Sequence, residues 1–452
     1  MHNAQSRAPG PAWLAWAVSC AIAVGGAACR GKGGGGAGAG DTSADGGTAT
    51  AAADAGAVVA ARCRADGAPI ALPEASWGAF PVFGDAVEGP AGYVVAVTRD
   101  VAGKRTAGVA TVDRDGRAID FVPLGAALPD DPPPRVARAG DVMVAAFVDR
   151  GAAAPPSRAV PSLAVAAIDA GKARVLFRAP QPDNPELAFD VAASGARIAV
   201  AWLEETPAAS RVAAAIVDLG AAGPVQIARD HVRSIVLQGA ADAGTASAIS
   251  AGADVDAPRL TPRPGGFWAA WLATSPEPGP EAGVEGAAEA RSWGWVEAAA
   301  LDANGKRIGD VRRLTPARGH VATFDVAPSG AAGLAVVARD ALEAREGEGS
   351  KLLRAGMVDE TTVAPTSVVT GRVGRGVPDL VPDGAGPWVA YADVADRAVW
   401  TPLAPGGASS GEPELEDGRV LGAGDRDGRK RLLVARKRAD APGELRLVSC
   451  NR

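Results

Sequence analysis

The sequence predicts an all-β fold assembled from one small unit that recurs along the chain. Each copy contains a short polar turn that ends in glycine, followed by a short apolar segment. Gly (58 residues) and Pro (35 residues) are frequent, which suits many tight turns between short strands. A repeated module of this size indicates several similar sheets packed one against the next. The copies are Phe189–Trp202, Ala257–Trp271, Phe324–Ala338 and Pro378–Tyr391, with weaker ones at Arg135–Phe147 and Leu421–Ala435.

The unit at residues 182–230 shows how one copy divides into strands. Four of its segments are rich in apolar or β-forming residues, and each is bounded by a turn or loop. The third segment ends in Asp and is followed by a turn with Gly, an ending that recurs in other units and favours a tight hairpin. The four predicted strands are Phe189–Ala193, Arg197–Leu203, Arg211–Asp218 and Pro224–Arg229.

The first-turn glycines give the number of units. Six glycines mark six units, and an earlier unit surrounds Gly92. Four-stranded units at this spacing resemble the blades of β-propellers of the kelch or sialidase-like kind, and the resemblance covers residues 63–452. It is architectural, because the chain has no specific family motif. We expect a propeller of about seven blades; six or eight blades, or a pair of β-sandwiches, are the alternatives. The six glycines are Gly140, Gly195, Gly265, Gly330, Gly384 and Gly428.

The two ends of the repeat region predict how the ring closes. The last unit supplies three strands, at Val420–Asp425, Arg431–Lys437 and Glu444–Cys450, and the sequence given stops there. Its fourth strand can come from Ala68–Leu72, near the start of the repeat region. Propellers often close by joining their first and last segments in one blade, so we expect the N-terminal strand in the last blade.

Two cysteines stand beside these closing strands. Cys63 and Cys450 lie at opposite ends of the repeat region, and the other cysteines lie within the first 29 residues. In an exported protein such a pair is typical of one disulfide bond, which would latch the ring. Two unpaired thiols are the alternative.

The first 29 residues have the features of an export signal. Arg7 gives a short positive region, and Ala12–Val24 is an apolar run too short to span a membrane. Gly26–Cys29 then resembles a bacterial lipobox, although that motif prefers Leu where Gly26 stands. The resemblance implies that Cys29 is lipidated, and Arg30 after it resembles outer-membrane sorting. An ordinary cleaved signal peptide is the alternative.

Residues 30–62 are predicted to form a flexible tether. This segment consists almost entirely of Gly, Ala, Ser, Thr and Asp, and it cannot bury enough apolar surface to offset the entropy of ordering. A tether after a lipidated cysteine would hold the propeller away from the bilayer. The chain resembles exported propeller lipoproteins of bacteria, which implies an outer-membrane anchor and a periplasmic or cell-surface location.

Long loops predict which face of the ring binds. The links between the first and second strands of a blade are tight, whereas those between the second and third strands, and between blades, are long and varied. Long loops on a rigid scaffold commonly carry binding residues, so we expect the functional face to bear them. The long links are Arg150–Pro161, His231–Asp256, Thr274–Arg291 and Asp340–Ser350.

Basic residues in the predicted links between blades form a candidate ligand site. Together they could make a positively charged mouth for a carboxylate, a phosphate or an acidic glycan. The alternative is that they are solvated loop charges. No spacing of ligands predicts a metal site, and no cofactor is expected. The candidate residues are His231, Arg233, Arg318, His320, Arg372 and Arg375.

Composition and missing motifs narrow the function. A net charge of −6 argues against a nucleic-acid partner. No nucleophile, metalloprotease or phosphate-loop motif occurs. A sialidase would need arginines facing the axis, and the first strands are expected to be poor in Arg. We therefore expect a lipid-anchored module at the cell envelope that binds a protein or an anionic or glycan ligand, rather than an enzyme. The alternative is a glycan hydrolase or lyase on the same scaffold.

Overall fold

The computed structural model contains seven small antiparallel sheets arranged as a seven-bladed propeller, as the sequence predicts. Successive strands pair in order within each sheet, and the first strand of every sheet lines the central axis. The alternatives of six or eight blades and of two sandwiches are therefore wrong. The structure describes residues 63–78, 81–115, 118–150, 161–169, 171–179, 188–205, 210–219, 232–238, 254–276, 292–341, 350–374, 376–382, 387–395, 398–403, 414–416, 419–426, 429–436 and 443–450.

The chain enters the ring through two short strands and one helical turn, and then forms blades 1 to 4. The entering elements are β1 (Cys63–Ala65), β2 (Ile70–Ala71) and α1 (Glu74–Trp77). Blade 1 contains β3 (Val82–Gly89), β4 (Gly92–Val101), β5 (Lys104–Asp113) and β6 (Ala118–Ala126). Blade 2 contains β7 (Arg135–Ala139), β8 (Val142–Asp149), β9 (Ser162–Asp169) and β10 (Lys172–Ala179). Blade 3 contains β11 (Phe189–Ser194), β12 (Arg197–Glu205), β13 (Ser210–Asp218) and β14 (Val232–Gln238). Blade 4 contains β15 (Asp254–Arg263), β16 (Gly266–Pro276), β17 (Ser292–Asp302) and β18 (Arg307–Arg313).

Blades 5 to 7 complete the circle. Blade 5 contains β19 (Val321–Ser329), β20 (Gly333–Asp340), β21 (Ser350–Met357) and β22 (Val363–Val373). Blade 6 contains β23 (Asp379–Val381), β24 (Trp388–Ala392), β25 (Ala398–Pro402) and β26 (Glu414–Glu416). Blade 7 contains β27 (Arg419–Arg426), β28 (Arg429–Arg436) and β29 (Glu444–Cys450), to which β1 and β2 both pair.

The fourth strand of blade 3 differs from its prediction. The structure places β14 at Val232–Gln238, inside the segment that the sequence predicts to be a long link. The predicted strand Pro224–Arg229 lies outside the described residues. Apolar Ile235, Val236 and Leu237 give β14 a strand-like composition that the link prediction overlooked.

Each inner strand packs against two neighbouring blades, and β12 shows the pattern. Its large residues Ile198, Val200 and Trp202 pack toward blade 2, whereas Ala199 and Ala201 pack toward blade 4. A strand buried on both faces is apolar without polar alternation, which explains the continuous Ala- and Val-rich runs of the sequence. The small side chains leave room for the aromatic rings of the next blade.

The ring closes in the last blade, as predicted. The strands β1 and β2 lie beside β29, so the predicted single strand at Ala68–Leu72 is replaced by two short pieces. Arg431 forms an ion pair of 2.5 Å with Asp66, in the bend between those pieces. At the adjoining seam, a Cβ added to Gly422 would lie 2.1 Å from the carbonyl oxygen of Ala86, so blades 7 and 1 meet closely here.

The strand register brings the predicted disulfide residues opposite each other. Cys63 of β1 and Cys450 of β29 are directly paired residues of the antiparallel ladder. The disulfide bond between them stays a prediction. The export signal, the lipidation of Cys29 and the tether at residues 30–62 lie outside the described residues. In the described part of the chain, no helix has the length and apolar character needed to cross a membrane.

Candidate functional site

A circle of seven charged side chains, one from each blade, surrounds the propeller axis. Each stands on the innermost strand of its blade, and each is followed by an aliphatic residue or alanine. They line a central cavity of about 420 Å³. We call these residues the axial ring: Asp85, Arg135, Asp190, Arg259, Asp325, Asp379 and Arg419.

The axial ring lies toward one end of the funnel. Arg135, Asp379 and Arg419 are the first residues of their innermost strands, and Asp190 is the second. The beginning of an innermost strand adjoins the link from the previous blade. The ring therefore lies at the end to which the sequence analysis assigns the long links and the binding face.

Small partners on the second strands make room for the ring. Opposite Arg135, Asp190 and Arg259 the ladder places Ala146, Ala201 and Ala270. Because alanine is short, the charged side chain opposite it can occupy the innermost position in the blade. The aliphatic residue that follows on the first strand has the opposite orientation, because side chains alternate along a strand. A charged residue followed by an apolar one is thus the local pattern that places a charge at the axis.

Direct contacts join the ring across the first and last blades. The guanidinium of Arg135 forms an ion pair with the carboxylate of Asp85 in the preceding blade. Arg419 Nη1 donates a hydrogen bond of 2.8 Å to the carbonyl oxygen of Phe83, which crosses the seam between blades 7 and 1. Arg419 Nε lies 3.8 Å from Asp379 Oδ2, a distance too long for a strong hydrogen bond.

Two aspartates of the ring also hold the backbone of the next blade. Asp190 Oδ2 accepts a hydrogen bond of 2.7 Å from the Leu260 amide, and Asp325 Oδ2 accepts one of 2.6 Å from the Leu380 amide. Leu260 and Leu380 are the residues that follow the ring residues of those next blades. The two carboxylates are therefore fixed in orientation by main-chain donors, which makes the funnel wall a preorganised polar surface.

The signs of the ring charges alternate around the axis except at one place. The order from blade 1 to blade 7 is Asp, Arg, Asp, Arg, Asp, Asp, Arg. A closed ring with an odd number of positions cannot alternate throughout, so one pair of neighbours must carry like charges. In this protein that pair is Asp325 and Asp379, on blades 5 and 6.

Electrostatics separates the aspartates of the ring into two groups. Burial raises the pKa of Asp85, but the charge of Arg135 and its hydrogen bond outweigh burial, so the pKa is lowered below its usual value. Burial, and after it the repulsion of Asp379, raises the pKa of Asp325 to about 7, against the opposing effect of Arg259 and of the Leu380 amide. Burial likewise raises the pKa of Asp379, with Arg419 opposing it.

The other ring members follow the same causes. Burial raises the pKa of Asp190, and the positive charges of Arg135 and Arg259 oppose that rise. The pKa of Arg135 is raised because the aspartates around it, Asp85 first, outweigh its burial. The pKa of Arg259 is lowered by burial and then by the like charge of Arg135. All of these groups face the same cavity.

None of the residues predicted from the sequence to form a basic mouth is a member of the axial ring. Arg318 and Arg372 are exposed, and His320 is half-buried with its ring 4.8 Å from that of Trp293, centroid to centroid. Arg233 lies on β14, and nothing is described of its side chain. The remaining two candidates lie outside the described residues: His231 and Arg375. The basic mouth stays a prediction.

The expectation that the first strands are poor in Arg is wrong. Arg135, Arg259 and Arg419 all stand on innermost strands and line the cavity. Their signal was present in the sequence, as a charged residue a few positions before the first-turn glycine. Because the residue is Asp in some units and Arg in others, comparing units by residue identity does not align it.

The described residues offer no set of side-chain ligands for a metal ion. Among them, no three His, Cys, Asp or Glu side chains come together as a group that could hold a metal ion. The ring carboxylates are interleaved with guanidinium groups, which are unsuited to a cation with a high charge.

Comparison with known proteins gives remote structural neighbours. No family model matches the chain, and no curated protein matches it. A polysaccharide lyase is 10% identical with a TM-score of 0.48, over 81% of this chain and 89% of the lyase. The β-propeller domain of the Trilobed protease from Pyrococcus furiosus is 11% identical with a TM-score of 0.42, over 81% and 94%.

A third neighbour is another enzyme. The GH32 β-fructofuranosidase of Bombyx mori is 10% identical with a TM-score of 0.33, over 86% of this chain and 93% of the enzyme. Because all three identities are 11% or lower and all three TM-scores are below 0.5, none of these neighbours assigns an activity to this chain.

Proposed function

We propose that this protein is a binding propeller that holds a small polar ligand in its axial funnel, and that it does so at the cell envelope as a lipid-anchored protein. The observation that carries the binding role is the convergence of seven charged side chains on one cavity of about 420 Å³. Clefts of a few hundred cubic ångströms with a few convergent polar groups are the usual form of small-molecule sites.

The funnel has properties that favour binding over a purely structural role. Charges in a confined, partly dehydrated space interact more strongly with a ligand than the same charges on an open surface. A stable axis does not require them, because buried ion pairs can often be replaced by apolar residues without loss of stability. Fixed carboxylates such as Asp190 and Asp325 also need no reorganisation when a ligand arrives.

A binding screen with two matched variants tests the site. The full-length protein is screened by thermal shift against small anions, cations, zwitterions and glycan fragments, and hits are measured by calorimetry. Arg419→Gln changes the funnel, and Arg318→Gln makes the same change at an exposed link residue. We expect the affinity of hits to change about tenfold in Arg419→Gln, the equivalent of about 1.4 kcal/mol, and to be unchanged in Arg318→Gln. Because Arg419→Gln removes a positive charge, anionic hits should bind more weakly and cationic hits more tightly. The reverse result would place binding at the predicted basic mouth, and a screen without hits would reject the proposal.

The lipid anchor at Cys29 and the disulfide bond between Cys63 and Cys450 belong to the same proposal. Processing of the precursor should be blocked by globomycin, and that effect should disappear in Cys29→Ser; unchanged processing in the variant rejects lipidation. An exported protein meets an oxidising compartment, so Cys63 and Cys450 should resist alkylation until a reductant is added. Immediate labelling of both thiols in the native protein would reject the disulfide.

A glycan hydrolase or lyase is the second candidate. One observation favours it: Asp325, a carboxyl group with a pKa of about 7, faces the same cavity as Asp85, a carboxyl group with a lowered pKa. Glycosidases use one protonated and one ionised carboxyl group. A panel of polysaccharides incubated with the native protein and with Asp325→Asn tests this. Product formation that is lost in the variant establishes an enzyme, and no product from any substrate rejects it.

A further inference from the structure

We infer that the ligand of the funnel carries a cationic amine or ammonium group, and that this group binds between Asp325 and Asp379. This inference rests on the proposed function, since it names the chemistry of the ligand at the same site. It follows from the order of charges around the ring, from the contacts of the two carboxylates, and from the walls of the cavity.

The charge balance of the ring leaves room for one positive charge. Four aspartates face three arginines, so the ring carries one excess negative charge when all its groups are ionised. Arg138 also lines the cavity, but it lies outside the ring and its guanidinium group is paired with the exposed Asp141. The excess is localised by the order of the blades. Asp85 and Asp190 each have an arginine on a neighbouring blade on either side, whereas Asp325 and Asp379 each have an arginine on one side only.

The contacts of the two carboxylates leave oxygen atoms available. Asp325 Oδ2 accepts a hydrogen bond from the Leu380 amide, and the Val326 amide also stabilises the ionised carboxylate. Asp325 Oδ1 lies 3.9 Å from Arg259 Nε, beyond hydrogen-bonding distance. In the described part of the chain Asp379 makes no hydrogen bond, and its closest cation is Arg419 Nε at 3.8 Å.

The two flanking arginines donate to the backbone rather than to these aspartates. Arg259 Nη1 donates to the carbonyl oxygen of Pro258 at 3.0 Å. Arg419 Nη1 donates to the carbonyl oxygen of Phe83. Both guanidinium groups therefore have other partners, and a third cation placed between the carboxylates does not have to displace them.

An ammonium group fits this place better than a metal ion does. Its charge of one matches the excess of the ring, and its N–H groups can donate to oxygens on two separate strands. No group of three metal-binding side chains exists among the described residues. Val326, Leu380 and Val377 also line the cavity, and they offer apolar contacts to a short alkyl chain attached to the nitrogen.

Protons should compete with the ligand for this place. The pKa of Asp325 is about 7, so near neutral pH the carboxyl group is partly protonated in the free protein. The charged groups that act on it are Asp379 of β23, which favours protonation, and Arg259 of β15, which opposes it. Arg135 of β7 also faces Asp325 across the funnel. Binding of a cation needs the ionised form, so affinity should rise as the pH rises from 5.5 to 8.

Three probes of similar length test the inference on the full-length protein. Hexylamine is cationic, hexanoate is anionic, and 6-aminohexanoate carries both charges. We expect hexylamine and 6-aminohexanoate to bind at pH 8 and to bind about thirtyfold more weakly at pH 5.5, because a carboxyl group with a pKa near 7 is almost fully protonated at the lower pH. Hexanoate has no cationic group, so we expect no gain in its affinity when the pH is raised.

Two variants locate the cation. Asp379→Asn is decisive, because this side chain holds no backbone group and the change should not affect folding. Asp325→Asn is the second variant, and the side-chain oxygen of the new asparagine can still accept a hydrogen bond from the backbone amide of Leu380. Each should weaken hexylamine binding about tenfold. The matched control is Asp141→Asn, at a side chain that is 94% exposed on a turn of blade 2, and it should bind hexylamine normally.

The outcomes separate this inference from the proposed function. Hexanoate binding without hexylamine binding overturns the cation site and leaves a funnel that binds anions. Hexylamine binding that is unchanged in Asp379→Asn and Asp325→Asn also overturns it. If hexylamine fails to bind while the screen finds another funnel ligand, this inference is rejected and the proposed function stands; if the screen is also empty, both are rejected.

Discussion

Two pairs of neighbours in the axial ring differ in how their charges are compensated: the compensated pair Asp85 and Arg135, and the uncompensated pair Asp325 and Asp379. Between blades 1 and 2, Asp85 is in direct contact with Arg135, and its pKa is lowered. Between blades 5 and 6, Asp325 neighbours Asp379, and the pKa of both carboxyl groups is raised. The same residue type, at equivalent positions of equivalent blades, thus stabilises the fold at one place and opposes it at the other. Features that oppose stability are common at functional sites, which is why we propose ligand binding between Asp325 and Asp379.

The largest expected effect on stability is at the compensated pair, Asp85 and Arg135. Arg135→Leu leaves Asp85 without its ion-pair partner and removes one of the two cations that flank Asp190. We expect the free energy of unfolding to fall by about 3 kcal/mol, measured by urea denaturation. Arg138→Leu is the matched control on the same strand, with a side chain that is 38% exposed, and it should change stability by less than about 0.5 kcal/mol. Equal effects in the two variants would show that the axial pair has no special role.

The next effect removes the carboxylate instead of the guanidinium. Asp85→Asn keeps the shape of the side chain and cancels the charge that attracts Arg135. The hydrogen bond from Arg135 becomes weaker because its acceptor is no longer charged, so we expect a destabilisation of about 2 kcal/mol at pH 8. Thermal and urea unfolding both report this value. Wild-type stability in Asp85→Asn would mean that the lowered pKa of Asp85 does not reflect a stabilising contact.

The next prediction concerns the pH dependence of stability at the uncompensated pair, Asp325 and Asp379. The folded-state pKa of Asp325 is about 7, above its value of about 3.9 in an unfolded chain, so the folded protein holds this proton more tightly. The stability that this proton contributes is complete below about pH 4 and is lost as the pH rises to about 7. Asp325→Asn cannot titrate, so its stability relative to the wild type should rise over that window.

The lowered pKa of Asp85 predicts the opposite pH dependence. Its contribution to stability is present above the unfolded-state pKa and is lost as the pH falls through the folded-state value. Unfolding measured from pH 2 to pH 8 in wild type, Asp325→Asn and Asp85→Asn separates the two, because the Asp85 effect falls below about pH 4 and the Asp325 effect falls between about pH 4 and pH 7. A relative stability of Asp325→Asn that does not change with pH would contradict the raised pKa.

The blades could be predicted from the sequence because local signals define them. Tight turns with glycine, such as the one at Gly195, and Asp–Gly endings mark where strands reverse. The closing strands were predicted because the last unit lacked one strand, and the structure supplies it from β1 and β2. β14 was missed because its surroundings have the composition of a loop.

The axial ring could not be predicted as a site from the sequence, because it depends on contacts between blades. Arg135, Asp190 and Asp379 each precede a first-turn glycine, at Gly140, Gly195 and Gly384, yet nothing in one unit shows that the three side chains share a cavity. Only the closed circle makes β27 a neighbour of β3 and leaves two like charges on blades 5 and 6.

The central claim is that the compensated pair stabilises the fold and the uncompensated pair does not. Its most direct test makes the same substitution in each pair. Asp379→Asn and Asp85→Asn each replace a ring carboxylate by a neutral amide, and the free energy of unfolding of both is measured at pH 8. A raised pKa means that ionisation costs free energy in the folded state, so Asp379→Asn should leave stability unchanged or raise it by up to about 1 kcal/mol, while Asp85→Asn lowers it. Equal destabilisation by the two variants would contradict the account.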